Sequence, residues 1–202
     1  MRADCYISAD IEADGPVPGT DAYSMLSFGL CVAARFDGQT FTVEDPDVKT
    51  YYAELRPISP NFEPEALAVS GLDRDELLVE GREPADVMPH VAAWVREVAA
   101  GDRPIMVGWP APFDFAWMHW YFIRFAGQDP FSYQGGLDIK GMFALKARLP
   151  LAEAHKDRIP PHLRSRRPHT HNALDDAKEQ ADLFTAIYQW DGQITPASGP
   201  ET

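Results

Sequence analysis

The segment Tyr6-Ile7-Ser8-Ala9-Asp10-Ile11-Glu12 constrains this chain more than any other stretch. β-formers and small residues fill it, so it predicts a strand. It also carries two carboxylates, Asp10 and Glu12, two residues apart. Side chains at that spacing share one face of a strand. Two like charges side by side repel, and burying them is costly unless a cation or hydrogen bonds compensate. A fold keeps such a pair readily when a metal ion sits between them. An ion held there needs further ligands from elsewhere in the chain.

With 202 residues, 45% of them hydrophobic and 11% aromatic, the chain fits one globular domain with a substantial core. Residues 1–190 are expected to form that domain, and 191–202 a polar tail. No apolar run is long enough to span a bilayer, and no basic region followed by an apolar stretch marks a signal peptide. Cys5 and Cys31 suggest no disulfide framework; reduced core thiols and a cytoplasmic location are expected. The net charge of −13 argues against non-specific binding to long duplex DNA, which draws on a broad basic surface. It leaves room for a short strand held through metal ions and a local basic patch. Arg158, Arg164, Arg166 and Arg167, with His162 among them, fit such a phosphate-contacting patch and fit a solvated, Pro-rich loop equally well.

Hydrophobic patterning places strands over residues 4–12, 24–35 and near 50–57, with Asp37-Gly38 as a turn, and a late strand over 104–109. Helices are predicted over 63–70 with Pro64 in the first turn, 84–100, 113–125, 139–148, and after His171 with Asn172 as N-cap. Strands first, then helices mixed with a late strand, predict a mixed α/β domain.

Three further positions suit a site begun by Asp10 and Glu12. Asp114 stands where a strand gives way to a helix among aromatics; taken alone it is as well read as a cap. Asp176 falls in the first turns of the last helix, and His171 just before it. Asp175 is read as favourable charge at that helix start. Four carboxylates can bind two hard divalent cations through oxygen. Two such ions about 3.5–4 Å apart can clamp the attacking and leaving oxygens of a phosphodiester displacement. A histidine, with an ordinary pKa of about 6.5, can take a proton at neutral pH. The residue types fit metal-assisted phosphodiester hydrolysis.

In this ordered set the chain resembles the DEDDh, or DnaQ-like, exonucleases of the ribonuclease H-like fold. Asp10-x-Glu12 matches the first motif, Phe113-Asp114 the second, and His171 with Asp176 five residues on the third. The resemblance covers nearly all of residues 4–190. It implies a mixed, about five-stranded sheet flanked by helices. It also implies two Mg²⁺ or Mn²⁺ ions held by Asp10, Glu12, Asp114 and Asp176, with His171 activating the attacking water. The implied activity is 3′-to-5′ removal of nucleoside 5′-monophosphates from a single strand with a free 3′ end. The expectation leans slightly to RNA or short oligonucleotides over DNA, and a homodimer is common among such freestanding members. The nearest alternative is a DNA-directed 3′-to-5′ exonuclease of repair or proofreading with the same site; the alternative from another class is the same fold without catalysis, as a nucleic-acid-binding module.

The chain departs from the family pattern at two places. Trp109-Pro110 replaces the usual His-Asn, and Pro110 has neither side-chain amide nor backbone donor. Ser70, in Val69-Ser70-Gly71-Leu72, replaces the usual His of Val-His-Gly-Ile. Trp109, Ser70 and Leu72 stand where family members contact the terminal nucleotide, and Arg164, Arg166 and Arg167 are added as candidate substrate contacts. Trp109 suits either base stacking or core packing. His169 lacks the family spacing from Asp176 and is read as a loop residue or phosphate contact. Asp138 is read as an N-cap, and His90, His119 and His155 as structural.

Overall fold

The structure is a computed structural model that describes residues 2–192. Most of the polar tail expected over 191–202 therefore lies outside the described residues. Strands β1 (Asp4–Ala13), β2 (Met25–Phe36), β3 (Phe41–Val43), β4 (Thr50–Glu54), β5 (Arg103–Gly108) and β6 (Gly136–Asp138) form one sheet. Its order is β3-β2-β1-β5-β6, with β4 also paired to β2, so the sheet is five strands wide. β1 runs antiparallel to β2 and parallel to β5, which runs parallel to β6. This is the mixed sheet expected of the ribonuclease H-like fold.

The helices are α1 (Pro64–Ser70), α2 (Arg74–Glu80), α3 (Pro84–Ala99), α4 (Ala111–Tyr121), α5 (Ile139–Ala147) and α6 (Ala173–Gln189). α1 and α3 each begin on a proline, which has no N–H to leave unpaired in a first turn. α1 stops at Gly71, whose φ of 65° closes the helix while its N–H bonds Leu67 O. α4 starts two residues earlier than the sequence suggests and runs on as a π turn over Phe122–Ala126. α6 starts where expected: the Asn172 side chain accepts from the N–H groups of Leu174 and Asp175.

Alternation along β1 sorts the interior into two layers. Cys5, Ile7, Ala9 and Ile11 join a core with Val87, Val91 and Val95 of α3 and Trp117 and Tyr121 of α4. Tyr6 faces the other way, into a core with Ala177, Ala181 and Phe184 of α6; its ring lies 4.9 Å from that of Phe184. Asp10 and Glu12 have the parity of Tyr6, so the pleat aims them at α6. β2 makes room there. Phe28, Leu30 and Val32 fill the first core, and Gly29, Cys31 and Ala33 lie beneath α6. A Cβ on Gly29 would stand 2.3 Å from Leu174 Cα, so only glycine lets the first turn of α6 settle onto the strand. Gly29 is the register partner of Asp10. The same close approach that seats α6 therefore brings its first turn over the acids. Cys5 and Cys31 are free and buried, and burial pushes their thiols up to about 11 and about 12. Among the described residues, no helix is long and apolar enough to cross a membrane.

Candidate active site

The four acids arrive from three directions. Asp10 and Glu12 come from the C-terminal half of β1, Asp114 from the first turn of α4 after β5, and Asp176 from the first turn of α6. An oxygen from each of Asp10, Glu12 and Asp176 lies within 4.8 Å of the other two. Asp114 adjoins them through the backbone, since its Oδ1 accepts from the N–H of Ile11, the residue between Asp10 and Glu12, at 3.2 Å. Asp114 and Asp176 are 5% and 1% exposed and Glu12 is 9% exposed, so these charges are shielded from solvent.

The electrostatics are those of a site short of positive charge. Burial, then the charges of Asp114, Glu12 and Asp176, raises the Asp10 carboxyl well above its ordinary range. Burial and the Asp176 charge push Glu12 up to about 7. Burial also pushes Asp114 up to about 7, against the pull of the Ile11 N–H. Glu12 has no hydrogen-bond donor on it among the described residues. Converging, buried carboxylate oxygens with this little compensation fit a divalent cation, which binds through oxygen.

Asp176 is oriented before any ion binds. Its Oδ1 accepts from Thr170 N–H at 2.9 Å and its Oδ2 from His171 N–H at 3.0 Å. The chain makes both bonds by turning at His171, whose φ is 57°. His171 is exposed at the rim, its ring edge-on to that of His169 at 4.6 Å, and both rings reach the Asp176 carboxylate. His169 is more firmly placed than a loop residue: Nδ1 lies 3.1 Å from Asp176 Oδ1 and 3.2 Å from Glu179 Oε2. Glu179 in turn accepts from Lys156 Nζ at 2.7 Å.

The candidate substrate contacts divide. The Trp109 ring is half-buried, 6.0 Å from that of Phe143, on the α6 side of the sheet. Ser70 is buried and its hydroxyl is used within its own turn, donating to Leu67 O and accepting from Leu72 N–H. That turn, with Leu72 half-buried, is tied to the end of β1 by the buried pair Arg74–Asp14 at 2.9 Å and by Glu63 N–H to Asp14 O at 2.8 Å. Arg164 is spent on the carbonyls of Ile159 and Asp157. Arg167 is spent on Asp47 and Asp182. Arg166 is exposed and has no ion-pair partner among the described residues, so of the three it alone keeps a free guanidinium. Asp138 is the expected N-cap, accepting from Gly141 N–H, and it also accepts from Ala111 N–H at the start of α4.

Sequence reasoning passed over Gln180. It is 1% exposed, donates from Nε2 to Asp10 Oδ1 at 2.5 Å, and accepts at Oε1 from Trp109 N–H at 2.6 Å. The available signal was spacing: Gln180 stands four residues beyond Asp176 and so shares its helix face.

No family model matches the chain. The chain is 35% identical over 190 residues to the 3′-5′ DNA exonuclease Cap18 of Escherichia coli, covering 93% of this chain and 94% of that one. Among solved structures it is similar to the nuclease domain of 3′hExo, a DEDDh family member bound to rAMP. The TM-score is 0.63 at 14% identity, over 93% of this chain and 92% of that one. It is also similar to S. pombe Pop2p in its Mg²⁺- and Mn²⁺-bound form, with a TM-score of 0.57 at 19% identity, over 94% and 86% of the two chains. Identity of this level, along nearly the whole of both chains and on a sheet that gathers the three acidic motifs at one end, places this chain in the DEDDh family of metal-dependent 3′-5′ exonucleases.

Proposed function

We propose that this protein removes nucleoside 5′-monophosphates from the 3′ end of single-stranded DNA, using two divalent cations held by Asp10, Glu12, Asp114 and Asp176. The observation that carries the reading is the meeting of the Asp10, Glu12 and Asp176 carboxylates within 4.8 Å, Glu12 and Asp176 buried and Asp10 half-buried, with no lysine or arginine bonded to any of them among the described residues. Divalent cations bound there offset the acids' mutual repulsion and supply Lewis-acid stabilisation for charge building on the phosphodiester oxygens. DNA is preferred over the RNA expected from sequence because the relative at 35% identity is named for DNA.

In this reading His171 is the general base. Its ring takes a proton from the water that attacks phosphorus, the bond from phosphorus to the 3′ oxygen breaks, that oxygen takes a proton from solvent to become the new 3′-hydroxyl, and the phosphate leaves on the 5′ oxygen of the released nucleotide. The backbone bond from His171 to Asp176 keeps this residue beside the proposed ligand set, and its ring reaches the Asp176 carboxylate. Exposure of the ring supports the role, since a base must receive its proton from water and return it to solvent. His169 is the supporting residue, held between Asp176 and Glu179. Arg166 and the Ser70–Leu72 turn are the parts proposed to meet the strand, Arg166 at phosphates and Leu72 against a base. Trp109 bounds the same end of the sheet, and Arg164 and Arg167 brace the loop that carries Arg166.

The test is digestion of matched DNA and RNA oligonucleotides, each with a free or a blocked 3′ end, in Mg²⁺, Mn²⁺ or EDTA. Mononucleotides are expected from the free-ended DNA in either ion and none in EDTA. Faster digestion of the RNA overturns the DNA preference, and product from a blocked 3′ end overturns the polarity. His171→Ala is expected to lower kcat by about 10²- to 10⁴-fold while divalent-ion binding persists. A larger loss from His169→Ala would assign the base to the wrong histidine.

A further inference from the structure

Gln180 joins three elements that the site depends on. It sits on α6 one turn beyond Asp176, and its amide lies between β1 and the end of β5. Its two bonds determine which way the amide points. Trp109 N–H can only donate, so it must meet the carbonyl oxygen, and Nε2–H is left to donate to Asp10 Oδ1. The reverse orientation would set two donors against each other at Trp109 and two acceptors against each other at Asp10. One side chain thereby closes a hydrogen-bonded line from the Trp109 backbone, through the amide, to a carboxylate of the site.

The tether matters because the residue after Trp109 is a proline. Pro110 stands where the family usually has an asparagine, and it offers neither an amide side chain nor an N–H. The end of β5 therefore needs a tether from elsewhere. Gln180 reaches it from α6, and the same amide restrains Asp10, whose neighbours Asp114, Glu12 and Asp176 all repel it. With Oδ1 held by Gln180, rotation of the Asp10 carboxylate away from the other acids would break a buried hydrogen bond, at a cost the nearly complete burial of Gln180 increases.

We propose that Gln180 is a positioning residue for the reaction, which sets the Asp10 carboxylate for divalent-ion binding and ties that setting to the Trp109-Pro110 corner. The proposal rests on the reading of Asp10 as a metal ligand. Groups that orient a ligand typically account for about 10- to 100-fold in metal affinity or activity.

The test is calorimetric titration of the metal-free full chain with Mn²⁺ alone, for wild type, Gln180→Met and Gln180→Asn, with melting temperatures in EDTA measured alongside. Met keeps the length and apolar volume and removes both bonds; Asn keeps the amide but is one methylene too short to span Trp109 and Asp10. Both variants are expected to bind Mn²⁺ about 10- to 100-fold more weakly than wild type. If Gln180→Met does not fold, Gln180→Asn decides alone. A lowered melting temperature with unchanged Mn²⁺ affinity would assign Gln180 a purely structural role and overturn the proposal. A wild type that binds no Mn²⁺ would overturn the metal reading itself, a result distinct from equal binding by wild type and variants.

Discussion

Asp10→Asn is expected to abolish nuclease activity and, in EDTA, to raise the melting temperature. The two effects have one cause. Asp10 is placed among Glu12, Asp114 and Asp176 and largely withdrawn from water, so its charge costs the folded state energy that only a cation returns. Asn keeps the shape, keeps an oxygen for Gln180 Nε2, and turns an N–H toward the acids. The metal-free protein is thereby relieved, while the ligand set loses a charge where charge must be stabilised in the transition state. A loss of at least about 10³-fold in kcat is expected. Asp176→Asn should lose activity equally and move stability the opposite way. Both oxygens of Asp176 accept backbone N–H bonds, from Thr170 and His171, and an amide would present a donor to one of them. Initial rates on a 3′-labelled strand and thermal melts in EDTA check the pair. Activity within tenfold of wild type for either variant would remove that residue from the ligand set. Parallel shifts in melting temperature would show that the hydrogen bonds on Asp176 do not distinguish it from Asp10.

How much of this could be read from sequence depended on length and on range. The long patterned elements were legible: β1, β2 and β5, and the helices over Pro64–Ser70, Pro84–Ala99 and Ala173–Gln189 with their proline and asparagine starts. β3 and β6 are three residues each, too short for alternation to register. α2 was passed over although Asp73 caps it by accepting from Asp75 and Glu76, a signal hidden in a charged stretch whose apolar residues, Leu77, Leu78 and Val79, stand in a row and show no helical period. In the site, the acids stood out because their types and order are unusual. Their convergence was not visible, since it depends on Gly29 letting α6 close onto β2, and an isolated glycine in an apolar strand gives no such notice. Nor could the arginines be sorted by sequence. Arg164, Arg166 and Arg167 look alike there, and only the fold shows Arg167 paired with Asp47, 120 positions earlier in the chain. Gln180 was missed for the same reason, its partner Asp10 being 170 residues away.

Raising the pH should weaken the metal-free protein across the range in which most proteins change little. Glu12 and Asp114 are acids whose folded pKa, about 7 for each, lies above the ordinary 4.5 and 3.8 that they regain on unfolding. Between those limits the folded state holds protons that the unfolded state has released. Stability varies with pH as the protons bound by the unfolded state minus those bound by the folded one. That difference is negative here, so stability falls as pH climbs from about 4 to about 7 and levels off above it, where both states are ionised. Asp10, raised for the same reasons, adds to the fall. A divalent ion reverses the sign of the effect because it binds the ionised acids and competes with their protons. At about a hundredfold excess over its Kd, such an ion adds about 2.7 kcal/mol. For a chain of this length that corresponds to about 5–10 °C in melting temperature. Melts from pH 5 to pH 9 in EDTA and in Mg²⁺ should therefore diverge, with the EDTA curve descending and the gap between the two widest at the alkaline end. Parallel curves would mean that the acids are not what the ion binds. An EDTA curve that rises with pH would mean that Glu12 and Asp114 are ionised in the folded protein well below pH 7, with their repulsion relieved by some group other than a metal.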